Sequence, residues 1–184
     1  MHVEKRTLIF FLGIFIIFQA CQKTSLEDVE IITKERDIPN ETALNIEFIF
    51  SDSGIVKAKI ESPLMELYRG EKPFTEMKNG LKATFYDADG NTNAFLTAKY
   101  GKRFSTEKLI ELKDSVVVVN VKGDTLKTQE LFWDERKDKV YSKRAVRVKT
   151  DDEIIYSNGF ESDPTFSYYK FYKITGTISL AESN

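Results

Sequence analysis

Three segments of this chain repeat the same apolar landmarks in the same order, and nothing else in the sequence constrains the fold as tightly. Phe95-Leu96-Thr97-Ala98 leads to Lys108-Leu109-Ile110-Glu111-Leu112 and then to Val116-Val117-Val118. Thr125-Leu126-Lys127-Thr128 leads to Lys139-Val140-Tyr141-Ser142 and then to Val146-Arg147-Val148. Ile154-Ile155-Tyr156-Ser157 leads to Lys170-Phe171-Tyr172-Lys173. Between the first two segments the landmarks stand thirty residues apart: Leu96 to Leu126, Ile110 to Val140, Val116 to Val146. Each unit reads strand, turn, strand, bend, strand. A unit this short cannot bury its own apolar face, so neighbours must stack to build a shared interior. A stack of this kind ends in strand edges whose unpaired N–H and C=O groups can take up another chain.

The rest of the chain follows the same period of two. In Ile55–Ser62, Val56, Ala58 and Ile60 fall on one side and Lys57, Lys59 and Glu61 on the other, the pattern of a strand with one wet face. Asn45–Ser51, Leu81–Tyr86, Leu96–Tyr100, Leu109–Leu112, Val116–Val121, Thr125–Phe132, Lys139–Ser142, Ala145–Lys149, Ile154–Phe160 and Tyr168–Leu180 read as further strands. Asp87-Ala88-Asp89-Gly90-Asn91, Lys122-Gly123-Asp124 and Asp134–Asp138 read as turns between them. Only Pro63–Tyr68 reads equally as a helical turn or a short strand. Fourteen Phe and eight Tyr against one Trp suit pleated surfaces, and 41% hydrophobic with 30% charged residues suits a folded domain. The expected class is all-β: a sandwich, barrel or roll.

The N-terminus carries an address. Lys5 and Arg6 precede Leu8–Phe18, eleven apolar residues broken only by Gly13, and then Gln19, Ala20 and Cys21. A positive head, a short apolar run and a small residue before a boundary describe a secretory signal peptide. The run falls short of the roughly 20 residues that a spanning helix needs. Phe18-Gln19-Ala20-Cys21 resembles a bacterial lipobox, with Phe18 and Gln19 in place of the commoner Leu and small residue. That resemblance implies cleavage before Cys21 and acylation of its thiol and new amino group, a two-signal anchor that holds at a membrane. The alternative is an uncleaved anchor with an inert Cys21. The expected organisation is a signal peptide over residues 1–20, a polar tether over 21–42 in which Val29, Ile31 and Ile32 could form a short strand, and a β domain over 43–184.

Export and cleavage would remove much chemistry. The single His is His2 and the single Cys is Cys21, so the mature chain would hold no His and no free thiol. His-dependent nucleophilic catalysis, His/Cys zinc sites and an internal disulfide would then be unavailable. No phosphate-binding glycine loop is present. The net charge of −2 offers no basic excess for nucleic acid. Asp134, Glu135 and Asp138 are interleaved with Arg136, Lys137 and Lys139. Asp151, Asp152 and Glu153 lie between two strand-like runs. Both clusters read as solvated turns, with glycoside hydrolysis or Ca²⁺ binding as the functional alternatives. No cofactor and no enzyme activity are expected.

Phe50-Ser51-Asp52-Ser53-Gly54, Leu96-Thr97-Ala98, Gly123–Thr128 running into Leu131-Phe132-Trp133-Asp134, and Gly159–Asp163 together resemble the LptC family of lipopolysaccharide export, over about residues 45–180. The resemblance implies a twisted β-roll (β-jellyroll) with an apolar trough for lipid A acyl chains. It implies a periplasmic component at the inner membrane that accepts lipopolysaccharide from the ABC transporter subunits. The component would pass it to an LptA-like bridging protein by edge-strand pairing. Lipid on Cys21 would replace the transmembrane helix of well-known members, and Gln22 after the Cys leaves the outer membrane open as the anchor's location. The trough would be lined by Val56, Ala58, Ile60, Phe85, Leu96, Ala98, Val116, Val118, Leu126, Thr128, Val146, Val148 and Ile155. For any one of these, ordinary core packing is the favoured reading, and small side chains such as Ala58, Ala98 and Thr128 are expected to leave room for a ligand in a trough. Lys57, Lys59, Lys99, Lys102 and Arg103 are candidates for lipid phosphates at the rim. The competing reading is an envelope lipoprotein for adhesion or assembly, with a closed β-sandwich core.

Overall fold

The computed structural model describes residues Ile38–Leu180. The signal segment, Cys21, the Val29–Ile32 stretch and most of the tether lie outside the described residues. From Pro39 onward the chain is one unit of twelve strands. They are β1 (Glu41–Asp52), β2 (Ile55–Tyr68), β3 (Phe74–Met77), β4 (Leu81–Tyr86), β5 (Thr92–Ala98), β6 (Tyr100–Phe104), β7 (Leu109–Asn120), β8 (Thr125–Asp134), β9 (Lys139–Lys149), β10 (Glu153–Ser162), β11 (Lys170–Phe171) and β12 (Ile174–Ser179). They form one sheet, and every pairing in it is antiparallel.

The sheet is folded over on itself, and the long strands show where. The first half of β2 pairs with β4 and its second half with β3. The first half of β7 pairs with β6 and its second half with β5. Pairing therefore closes into a ring, β7-β5-β4-β2-β3-β6 and back to β7. Two half-sheets result. One holds β4, β5 and β12, the other β3, β6 and β11, and β1, β2 and β7 to β10 cross from one to the other.

Two of the crossings, in β7 and β10, have a local cause visible in the register. In β7 the register against β8 slips between Lys113 and Val116, and the two residues between, Asp114 (φ 61°) and Ser115 (φ 54°), are left-handed. In β10 the slip against β9 lies between Asn158 and Phe160, with Gly159 at φ 116°. Such bulges sharpen the local bend. Buried hydroxyls take up carbonyls that bending strips from the ladder. Ser62 Oγ shares its one proton between the Leu64 and Gly80 carbonyls at 2.9 and 2.8 Å, Thr128 Oγ1 donates to Ala145 at 3.0 Å, and Ser157 Oγ to Gly159 at 2.9 Å.

The sequence expectations need correction: Leu96–Tyr100 is not one strand but straddles the end of β5 and the start of β6, and Tyr168–Leu180 is not one strand but holds β11 and β12. Leu109–Leu112 with Val116–Val121, and Lys139–Ser142 with Ala145–Lys149, are not separate strands but the two arms of β7 and β9. Pro63–Tyr68 is neither a helix nor a separate strand but the far arm of β2. Pro63 is tolerated because the β1 register skips it, pairing Ser62 with Ile46 and Leu64 with Leu44. β3 was not legible, because Phe-Thr-Glu-Met is too short to display a period.

Candidate functional site

One ladder row crosses the first half-sheet from edge to edge: Phe48, Ile60, Ala83, Leu96, Val118, Leu126, Val148, Ile155 and Thr177 are successive cross-strand partners on nine strands. Partners in one row share a face, so one apolar strip runs across the inside of the roll. The row on one side of it runs Phe50, Ala58, Phe85, Ala94 and Asn120. The row on the other side runs Val116, Thr128, Val146 and Ser157. Opposite, the second half-sheet presents Met77, Gly101, Leu112 and Leu131, and beside them Arg103, Ile110, Trp133, Val140 and Ser162.

All but two of the sequence-selected interior positions are buried. Val56 is 38% exposed, because it stands at the start of β2, beyond the reach of the opposite half-sheet. Ile155 is half-buried near the β12 edge.

The small residues play different parts: Ala98 borders an open cleft, while Ala58 stands beside a buried ring. Ala58 and Ala94 are the cross-strand partners on either side of Phe85, and their lack of bulk makes the slot that holds its ring. Ala98 pairs across to Leu81, and Thr128 spends its hydroxyl on backbone carbonyls. A Cβ at Gly101 would come within 2.5 Å of Leu81 Cδ2, so the two half-sheets are in contact there. The Phe85 ring lies against Trp133, and Trp133 against Phe50, each pair at 5.3 Å between centroids. A cleft of about 850 Å³ opens at the bend beside Asn45, Ser62, Gly80, Ala98 and Lys99, and another of about 470 Å³ beside Lys139, Tyr141 and Tyr172. Neither is lined by Phe85 or Trp133.

Three of the five candidate cations, Lys59, Lys102 and Arg103, are engaged in ion pairs. Arg103 holds Glu135 with two hydrogen bonds, 2.8 and 3.1 Å, and lies 5.0 Å from the Phe50 ring. Lys102 binds Glu76 at 3.0 Å and covers the Phe74 ring, and Lys59 binds Glu47 at 3.3 Å. Lys99 faces the larger cleft. The Asp134 cluster is a turn: Asp134 accepts the Arg136 and Lys137 amides and pairs with the Lys137 ammonium at 2.9 Å. Those contacts, the Lys137 side chain first, hold its carboxyl below the ordinary aspartate range. Among the described residues no group of three or more His, Cys, Asp or Glu could hold a metal ion, and no helix is long and apolar enough to cross a membrane.

Sequence reasoning missed three interior features. Trp133 follows Leu131 at the right spacing, and the alternation there could have placed it inside. Its Nε1 is buried with no hydrogen-bond partner. The Arg103–Glu135 pair joins a β6 residue to the turn after β8, far apart in sequence. Phe166 has no strand period around it, yet it is 1% exposed and its ring meets Phe85 edge-on at 6.0 Å.

The fold and site define a class: a bent β-roll with an apolar interior and strand edges on both flanks. The family model for "Lipopolysaccharide-assembly, LptC-related" proteins matches residues 7–165. The chain belongs to that family, and it takes part in lipopolysaccharide transport as a periplasmic, inner-membrane-associated transport component. Lipopolysaccharide and the transporter proteins of that pathway are its partners. None of the curated proteins compared with the chain matches it.

Proposed function

We propose that the chain is anchored by lipid on Cys21 after loss of residues 1–20. It accepts lipopolysaccharide from the inner-membrane ABC transporter and passes it to an LptA-like bridging protein through paired strand edges, with no enzymatic step. The observation that carries this reading is the apolar row from Phe48 to Ile155, which spans the inner face from one flank to the other. Burial of an acyl chain on such a strip stabilises it by about 0.8 kcal/mol per CH₂, enough to compete with a membrane. Direction would come from the transporter's ATP hydrolysis. The outermost described strands are β1 on one flank and β11 and β12 on the other, and their outer edges suit strand addition. β12 lies beyond the stretch that the family model matches.

Photoreactive residues at Leu96, Val118 and Ile155, in the reconstituted transporter with ATP, test the transfer. Adducts to lipopolysaccharide at these positions are expected, and their absence at all three would remove the lipid-carrier reading. Mass spectrometry of the mature N-terminus tests the anchor: an acylated Cys21 is expected, and an intact residue 1–20 segment would refute it.

The filled interior favours a second reading, an adhesion or assembly lipoprotein with a closed sandwich core. It predicts no lipid adduct inside and loss of function from changes in loops such as Asp87–Asn91.

A further inference from the structure

Among the described residues Phe166 is the one member of the buried core that no strand carries. It hangs from the loop between β10 and β11 at φ 55°, a left-handed conformation that bulky side chains rarely adopt. Strain of this kind persists only where the surroundings hold it. Here the Asp163 carboxylate gathers the Thr165 and Ser167 hydroxyls and the Ser167 amide, and Asn120 Nδ2 reaches the Phe166 carbonyl at 3.5 Å. Tyr169 completes the latch. Its hydroxyl accepts from Asn120 at 2.9 Å and donates to Asp124 at 3.1 Å.

Every other core residue is fixed in the ladder, so moving it breaks sheet. Withdrawing Phe166 breaks its ring contact with Phe85 and hydrogen bonds made by side chains and the loop, but no ladder bond between strands. It would open a ring-sized space against Phe85, one ring from the unpartnered Trp133 Nε1. We infer that the space filled by Phe166 is an acyl-chain site, closed in the empty protein by its own loop and opened when Phe166 swings out. The entering ligand is a long-chain acyl lipid. This inference rests on the lipid-carrier reading above.

Trp133 is the only Trp in the chain, so its fluorescence reports on the interior alone. The full chain in detergent is titrated with dibrominated stearic acid, whose bromines quench indole on near contact, against plain stearic acid as control. Wild type is expected to quench saturably. If the closed state holds most of the population, Phe166→Ala lowers the midpoint by about fivefold or more. Equal midpoints in wild type and Phe166→Ala would make Phe166 ordinary packing and leave the lipid-carrier reading intact. No bromine-specific quenching in either would overturn both. Should Phe166→Ala fail to fold by circular dichroism, Tyr169→Phe decides instead: it keeps the ring and removes the latch, so a lowered midpoint supports the site and an unchanged one refutes it.

Discussion

Phe85 and Trp133 meet edge to face with ring centroids 5.3 Å apart, and they come from opposite half-sheets of the folded roll. The contact therefore measures closure of the roll rather than pairing within the sheet. Phe85→Ala should cost about 3–5 kcal/mol in urea unfolding, since Ala58 and Ala94 cannot fill the slot. Phe85→Leu should cost markedly less. Near-equal losses would mean that the site collapses freely and that the ring does not brace the two halves.

Gly101 stands where the half-sheets are in contact. Gly101→Ala places a Cβ 2.5 Å from Leu81 Cδ2 and 3.2 Å from Met77 Cε, an overpacking expected to cost about 1–3 kcal/mol. Leu81→Ala in the same chain should relieve the clash, so the double variant should lose less than the sum of the two single ones. Additive losses in a double-mutant cycle would place the strain elsewhere.

The Glu135 side chain is only 8% exposed, and Arg103 neutralises it with a two-bond fork. Arg103→Met leaves that carboxylate without its cation, and a loss of about 3 kcal/mol is expected by thermal or urea melts. Adding Glu135→Gln should restore a large part of it. If Arg103→Met alone is neutral, the pair contributes only as a surface ion pair would.

The Phe166 loop should be acid-sensitive through Asp163. Burial pushes its carboxyl up, but hydrogen bonds from Thr165, Ser167 and Ser162 outweigh burial and hold it below the ordinary range. A carboxylate depressed on folding contributes stability that is whole above its unfolded value of about 4 and disappears as pH falls through the lower folded value. Wild type should accordingly exceed Asp163→Asn in stability at neutral pH, with the gap narrowing below about pH 4. A gap independent of pH would show that the charge is not what holds the loop.

Much of the strand plan was legible. Leu81–Tyr86 begins and ends where the alternation says, and Thr125–Phe132 runs only two residues further. Side chains on a strand alternate by local stereochemistry, so Val118, Leu126 and Val148 declare a common face without knowledge of their neighbours. The bends were harder to read. A bulge at Asp114 and Ser115 looks from sequence like a gap between strands, because nothing local says that both arms pair with β8. Phe166 was illegible for a different reason: its burial depends on Asn120 and Asp163 anchors that no periodicity announces.

The amino-acid order determined, by itself, the all-β class, the turns, the thirty-residue repeat and the residues of one inward face, since each of these follows from backbone geometry over a few neighbours. Only the tertiary structure decided that the sheet folds back on itself, that Ala58 and Ala94 make a slot for Phe85 instead of a channel, and that a loop phenylalanine fills the interior. Those outcomes depend on which surfaces meet across distant stretches of chain, and close packing, unlike alternation, is a property of the assembled whole.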